Sequence, residues 1–247
     1  MSTSQPATHA ILEGAPSANR ANTPVASAVH TIALIAFLAG WTYFGLVHSN
    51  HMRGQSAPNH LLLYFPTLAM EWSVFAFVVW SIRKRGVTLR ELIGPRWANP
   101  VQFFTDLGIG IVFQVGALIV LACLTVLVRA HQDPSNIMFM IPSGALEIFF
   151  WILLSLTAGI CEETIFRGYF QRQFISWTGN TVVGILISAI LFGAIHLYQG
   201  GRQTIVIGAL GAMFGGLAAY RRSLKPGMIA HFLQDGVTGV VLSLTQK

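Results

Sequence analysis

Charged side chains are scarce in this chain. Only 10% of its 247 residues are Asp, Glu, Lys or Arg, against about one quarter in an ordinary soluble domain. So little charge cannot cover a water-facing surface of this size, which excludes a soluble globular fold. Acids are scarcest: Glu13, Glu71, Glu91, Asp106, Asp133, Glu147, Glu162, Glu163 and Asp235 are all there are. Cysteine is rarer still. Cys123 and Cys161 lie inside apolar runs, with neither a disulfide framework nor metal-ligand spacing. No internal repeat stands out, which counts against the inverted-repeat plan of many transporters.

What is there is apolar. Hydrophobic residues make up 53% of the chain and the mean hydropathy is +0.61. The net charge is +6, but the cations sit mostly in connections between apolar runs. That pattern reflects membrane topology and anionic lipid headgroups rather than nucleic-acid binding. Seven apolar segments, near 28–48, 61–82, 101–129, 146–172, 180–198, 203–220 and 226–245, approach or exceed the roughly 20 residues that span a bilayer. The sequence therefore predicts an all-α, polytopic membrane bundle of about seven transmembrane helices.

Three regions are expected. Residues 1–27, rich in Ala, Ser, Thr and Pro, have the composition of a disordered tail. The apolar run after them is too long for a signal-peptide core and is read as a retained first helix. Residues 28–145 carry N-terminal transmembrane helices. Within them, 83–100 is expected to hold a short interfacial helix, because Val87, Leu89, Leu92 and Ile93 alternate with charges. Residues 146–245 form a membrane core that concentrates the ionisable groups. Arg83, Lys84, Arg85, Arg90, Arg96, Arg172, Arg221, Arg222 and Lys225 fall in connections on one side of the predicted bundle. Only Arg53, Arg129, Arg202 and Lys247 fall on the other. This bias predicts a multi-pass protein, of the plasma membrane if bacterial, with a cytoplasmic N-terminus and an external C-terminus.

Each ionisable group at bilayer depth costs about 2.5–3.5 kcal/mol on insertion scales, so each is a candidate for function. Glu162, Glu163 and Arg167 come late in the fourth segment, in Cys-Glu-Glu-Thr-Ile-Phe-Arg-Gly. Adjacent carboxylates point about 100° apart on a helix, so they are not expected to serve one partner equally. Glu163 and Arg167 stand i,i+4 with the acid first, the favourable order for an ion pair. That pairing leaves Glu162 for general-base work. His196 shares a helical face with Phe192 in the fifth segment, and His231 shares one with Asp235 in the seventh. Singly, a buried His is also a packing residue and a Glu–Arg pair a structural clamp. Together they place three acids and two histidines on three helices that otherwise carry almost no charge.

Glu-Glu-x-x-x-Arg, then Phe-x-x-x-His, then His-x-x-x-Asp over about 146–240 resembles the CPBP family. These are CAAX-prenyl-protease-like and bacteriocin-processing intramembrane proteases, also called the Abi family. The resemblance implies an intramembrane endopeptidase acting on a membrane-associated peptide or protein, which can be lipidated. By the same resemblance, Glu162 activates water, supported by Glu163 and Arg167. His196 holds the water, and His231 with residue 235 stabilises the oxyanion. Family members often have Asn at that last position. An ionised Asp235 would repel an oxyanion, leaving it to act protonated, as an orienter of His231 or as a metal ligand. For these residues to meet, the hairpin between the fourth and fifth helices must project about 10 Å beyond the turn between the sixth and seventh. That places the site in the cytoplasmic half of the bilayer.

Other readings stay open at this level. Glu162, His196 and His231, with Asp235, are also possible ligands of a divalent metal such as zinc, although the favoured reading requires no cofactor. A non-catalytic immunity or scaffold protein of the same fold, or a proton-coupled transporter, are the alternatives to catalysis. Glu71 and Asp106 either line the same cavity or serve as structural partners. His48, His51 and His60 are expected in one outer loop, where solvated histidines are commoner than a metal site. The small residues Gly208, Gly211, Gly215 and Ala219 predict a closely packed sixth helix.

Overall fold

The computed structural model describes residues 23–52, 59–129 and 135–245, all helix or connection, with no strand among them. Residues 1–22 of the expected tail, Arg53, Asp133 and Lys247 lie outside the described residues, as does the side chain of His51.

In order, the helices are α1 (Ala28–Met52), α2 (Leu61–Arg83), α3 (Leu89–Ile93), α4 (Pro100–Leu127), α5 (Ser135–Met138) and α6 (Ala145–Glu162). A π-helical segment (Glu163–Phe170) joins α6 to α7 (Gln171–Thr178). Then come α8 (Thr181–Ile195), a 3-10 turn (Leu197–Gln199), α9 (Gly201–Arg221) and α10 (Lys225–Thr245). Six helical runs are long and apolar enough to cross a membrane: α1, α2, α4, the continuous Ala145–Thr178, α9 and α10. The seventh apolar helix, α8, has only 15 residues, about 22 Å of rise.

Local chemistry sets the boundaries. Asn99 caps α4 through Gln102 N–H with Pro100 in the first turn, where its missing N–H costs nothing. The fourth span runs past the expected 172 to Thr178. There Gly179, at φ 67°, ends it in the left-handed region and Asn180 caps α8 through the N–H groups of Val182 and Val183. The short helix expected in 83–100 is α3, started by a Thr88–Glu91 capping box. Leu92 on it is buried. The end of the expected disordered tail is ordered instead. Gln173 on α7 bonds both the N–H and the C=O of Ala26 at 3.0 Å, which satisfies that backbone from a side chain.

α6 and α10 pack at the centre, α2 lies on α6, α4 on α10, and α8 and α9 form a tight hairpin. Close approach depends on small residues. A Cβ at Gly193 would lie 2.8 Å from the Thr204 carbonyl oxygen of α9, and one at Gly159 would lie 2.8 Å from that of Met228 on α10. The basic connections gather at one end of the bundle. Arg172 donates to the Glu91 carbonyl at 2.6 Å, Lys225 reaches the Pro95 carbonyl, and Leu224 N–H donates to Ile93 at 2.9 Å. At the other end Arg202 donates to the Arg129 carbonyl. α1 and α2 converge at the basic end, where His30 meets Ser81 Oγ at 3.0 Å and packs on Trp80.

Candidate active site

The six residues singled out in the sequence fall on α6, the π segment after it, the end of α8 and α10, which the fold brings together. Trp151, Ser155, Ala158 and Glu162 form one stripe of α6 along the wall of a cavity of about 550 Å³. Glu163, the next residue, opens the π segment and points away from that stripe into protein. Its Oε1 lies 2.9 Å from Arg167 Nη1, with both side chains only 1% exposed. Arg167 Nη2 also donates to the Gly211 carbonyl at 3.2 Å, and its guanidinium packs on the faces of Phe192 and Phe214. A charge this deeply buried is stable only with a counterion and hydrogen bonds, and here it has both.

The π segment is what lets one helix serve these two surroundings. Gln171 N–H bonds the Phe166 carbonyl, five residues back rather than four. The extra residue turns everything after it by about 100° relative to an unbroken α-helix. Tyr169 thereby reaches Thr31 on α1, Gln171 the Gly215 carbonyl on α9, and Gln173 the backbone of Ala26.

His231 on α10 ties the two acids together. Its Nδ1 lies 3.1 Å from Glu163 Oε1, while its Nε2 lies 3.7 Å from Glu162 Oε2 and 3.4 Å from Asp235 Oδ2. The adjacent carboxylates, expected to diverge, reach the same imidazole because its two nitrogens point opposite ways. Gly227 makes room for this arrangement, since a Cβ there would lie 3.1 Å from Glu163 Oε2. Asp235 sits on the same nitrogen of His231 as Glu162, and the other nitrogen belongs to Glu163. Trp151 fixes the local turn of α10 by donating to the Asp235 carbonyl at 2.9 Å.

His196 caps the end of α8 and lines the same cavity. Its Nδ1 donates to the Phe192 carbonyl at 2.8 Å, which fixes the ring and leaves Nε2 as the nitrogen without a hydrogen bond among the described residues. Phe192 separates the two imidazoles, its ring centroid 4.8 Å from that of His196 and 6.1 Å from that of His231.

The remaining acids divide. Glu71 lines the cavity with Glu162; both residues have an Oε2 without a hydrogen-bond partner among the described residues. Asp106 does not line it. That carboxylate accepts from Trp97 Nε1 at 2.8 Å and pairs with Arg221 at 3.2 Å, a structural link between α4 and α9. The expected histidine loop is not formed. α1 continues through that stretch to Met52, so His48 is helical and stacks on Phe44. His60 is instead buried against Glu147 Oε2 at 2.7 Å. Among the described residues no three His, Cys, Asp or Glu side chains are gathered to hold a metal. The Glu162, His196 and His231 trio is therefore not assembled as a ligand set. Sequence reasoning missed Tyr198 and Gln203, which also line the cavity; neither carries a motif.

The helix levels agree with the required projection. A Cβ at Gly168 would lie 3.1 Å from Leu224, which puts that residue level with the α9–α10 turn. The chain then continues to Thr178, about 15 Å further.

Residues 144–237 match the family model described as type II CAAX prenyl endopeptidase Rce1-like. No curated protein and no solved structure matches the chain. The matched stretch opens at the start of α6 and closes just past Asp235, so it takes in all six site residues. This match of the segment 144–237 is consistent with the CPBP family that its motifs resemble.

Proposed function

We propose that this protein is an intramembrane endopeptidase that hydrolyses a membrane-associated peptide or protein with water activated by Glu162. The observation that carries the reading is the pairing of carboxylates. Glu162 Oε2 stands on the cavity wall without a hydrogen-bond partner among the described residues, 3.7 Å from His231 Nε2. Glu163 is held behind it through Oε1, which meets both Arg167 and His231. One acid is free for proton transfer and the other is committed to position.

In this mechanism Glu162 takes a proton from a water that His196 Nε2 helps to hold, and the hydroxide attacks the substrate carbonyl. His231, its Nδ1–H held by Glu163, presents Nε2 toward the reacting carbonyl. Protonated there, it stabilises the oxyanion and then passes a proton to the leaving amine. Asp235 acts on the His231 ring rather than on the oxyanion, which an ionised carboxylate would repel. No step passes through a metal.

The charge bias supports a cytoplasmic N-terminus. His231 lies about 9 Å along α10 from its basic end, which supports a site in the cytoplasmic half of the bilayer. Purified protein and a Glu162→Ala variant, incubated with candidate substrate peptides and read by mass spectrometry, test the proposal. Cleavage by the parent alone is expected; equal processing by both would sink the reading.

A further inference from the structure

We infer that Glu71 on α2 is a further positioning residue of this site: as a carboxylic acid it donates a hydrogen bond, directly or across one water, to Glu162. Its part in catalysis rests on the endopeptidase reading; the proton shared between the two acids does not. Glu71 lies well outside the matched segment 144–237.

α2 turns one stripe to the chamber, the cavity whose wall Glu162 shares. Leu63, Thr67, Met70 and Glu71 form that stripe. The helix is pinned on both sides of Glu71. His60 meets Glu147 at 2.7 Å and Tyr64 Oη donates to the Met140 carbonyl at 2.6 Å on one side. Ser81 meets His30 at 3.0 Å on the other. About 16 Å of helix separate Glu71 from His60 and about 15 Å separate it from Ser81, so its carboxyl enters the chamber midway along the span.

Glu71 differs from the other buried acids in its partners. Asp106 has Trp97 and Arg221, Glu147 has His60 and Ser143, and Glu163 has Arg167 and His231 on its Oε1. Glu71 is only 6% exposed, yet its Oε2 has no hydrogen-bond partner among the described residues, and neither has Glu162 Oε2. An acid buried on a cavity wall without a structural partner is placed for what the cavity holds.

Ionised carboxylates only accept hydrogen bonds. Two of them facing one chamber repel, and they satisfy each other only when one carries a proton. The surroundings assign it. Glu162 has a partner for its charge in His231, whose Nε2 lies 3.7 Å away. Glu71 stands in the middle of an apolar span, where an uncompensated charge is most costly. The other titratable groups on the wall are His48 of α1, His231 and Asp235 of α10, and His196 and Tyr198 between α8 and α9. His231 and Asp235 meet each other, His196 is held by the Phe192 carbonyl and Tyr198 by Gln199. Glu162 is the acceptor left for the Glu71 proton. Held so from α2, one oxygen of Glu162 is fixed while the carboxylate keeps its charge for the water.

Infrared difference spectra of the purified full chain at neutral pH test the shared proton without any substrate. The difference between parent and Glu71→Gln is expected to contain the C=O stretch of a protonated carboxyl group, and Glu162→Gln is expected to displace that band. No such band, or a band unmoved by Glu162→Gln, would overturn the inference. Steady-state cleavage of a peptide that the parent processes tests the positioning. Glu71→Met keeps the bulk without a hydrogen bond and is expected to lower kcat about 10–100-fold, as loss of an orienting partner does, with KM unchanged. Glu71→Gln, which still donates and accepts, is expected to stay within a few-fold of the parent. Full activity in Glu71→Met, or equal losses in both variants, would overturn the positioning role; where Glu71→Met does not fold, the infrared result on Glu71→Gln decides. Cleavage that persists in Glu162→Ala, with the infrared pattern as expected, would instead remove the endopeptidase reading and leave the shared proton standing.

Discussion

His231 and Glu163 stand 68 residues apart in the chain and meet at 3.1 Å, Nδ1 to Oε1. The same carboxylate oxygen lies 2.9 Å from Arg167. One buried acid therefore neutralises a buried guanidinium and fixes an imidazole, and that imidazole turns its other nitrogen to Glu162. Glu163 is a positioning residue in this arrangement, and its loss has two separable effects.

Glu163→Ala leaves the Arg167 charge buried without a counterion. Breaking such a pair costs about 3–5 kcal/mol, so a lower midpoint of thermal unfolding in detergent is expected. Glu163→Gln keeps the shape and an acceptor for His231 but loses the charge. Its turnover is expected to fall about 10–100-fold, the range for groups that orient a functional histidine. An unchanged unfolding midpoint in Glu163→Ala would show that the pair does not hold the fold together.

Two glycines on the same interface give different outcomes. At Gly227 the one tight contact of an added Cβ is with the Glu163 carboxylate, at 3.1 Å, Phe214 lying at an ordinary 3.5 Å, so Gly227→Ala is expected to lower kcat while the unfolding midpoint moves little. At Gly159 the added Cβ meets backbone, 2.8 Å from the Met228 oxygen. Gly159→Ala must push α6 from α10 and is expected to cost about 1–3 kcal/mol, as overpacking does. Thermal unfolding and steady-state rates measured on both variants check the contrast; identical behaviour would contradict it.

Asp235 lies 3.4 Å from His231 Nε2 and is more exposed than the acids behind it. Asp235→Asn keeps a polar group there and removes the negative charge beside the forming oxyanion. Turnover is expected to stay within a few-fold of the parent, while Asp235→Ala falls further because the ring loses a neighbour. Abolished turnover in Asp235→Asn would mean that the carboxylate charge itself takes part.

Excess chelator is expected to leave cleavage unchanged, since the proposed route uses Glu162 alone to activate water. Activity lost on chelation and restored by zinc would replace that route with a metal-dependent one.

The site was legible in the sequence because ionisable groups are so costly in an apolar chain that few survive without a role. Glu162, Glu163, Arg167, His196, His231 and Asp235 stood out against segments with almost no charge, and the i,i+4 spacing was enough to pair Glu163 with Arg167. Which nitrogen of His231 meets which acid was not legible, because it depends on how α10 lies against α6. Long-range partners escaped for the same reason. His60 finds Glu147 across 87 residues, and Ala26 finds Gln173 across 147; neither pairing leaves a local pattern. The π segment has no composition of its own, and only the packing on both sides of it explains the added residue.

That added residue divides one continuous helical run into two frames of reference. Before it, the Trp151–Ser155–Ala158–Glu162 stripe is addressed to the chamber; after it, Tyr169, Gln171 and Gln173 are addressed to interior joints with α1, α9 and Ala26. Substitutions at Ser155 and Ala158 can therefore reshape what the chamber accepts without disturbing those joints. Deleting a single residue from within Glu163–Phe170 would let the run relax to an ordinary α-helix. Such a deletion would turn the Tyr169, Gln171 and Gln173 joints out of register together, while leaving Glu162, His196, His231 and Asp235 in the chain.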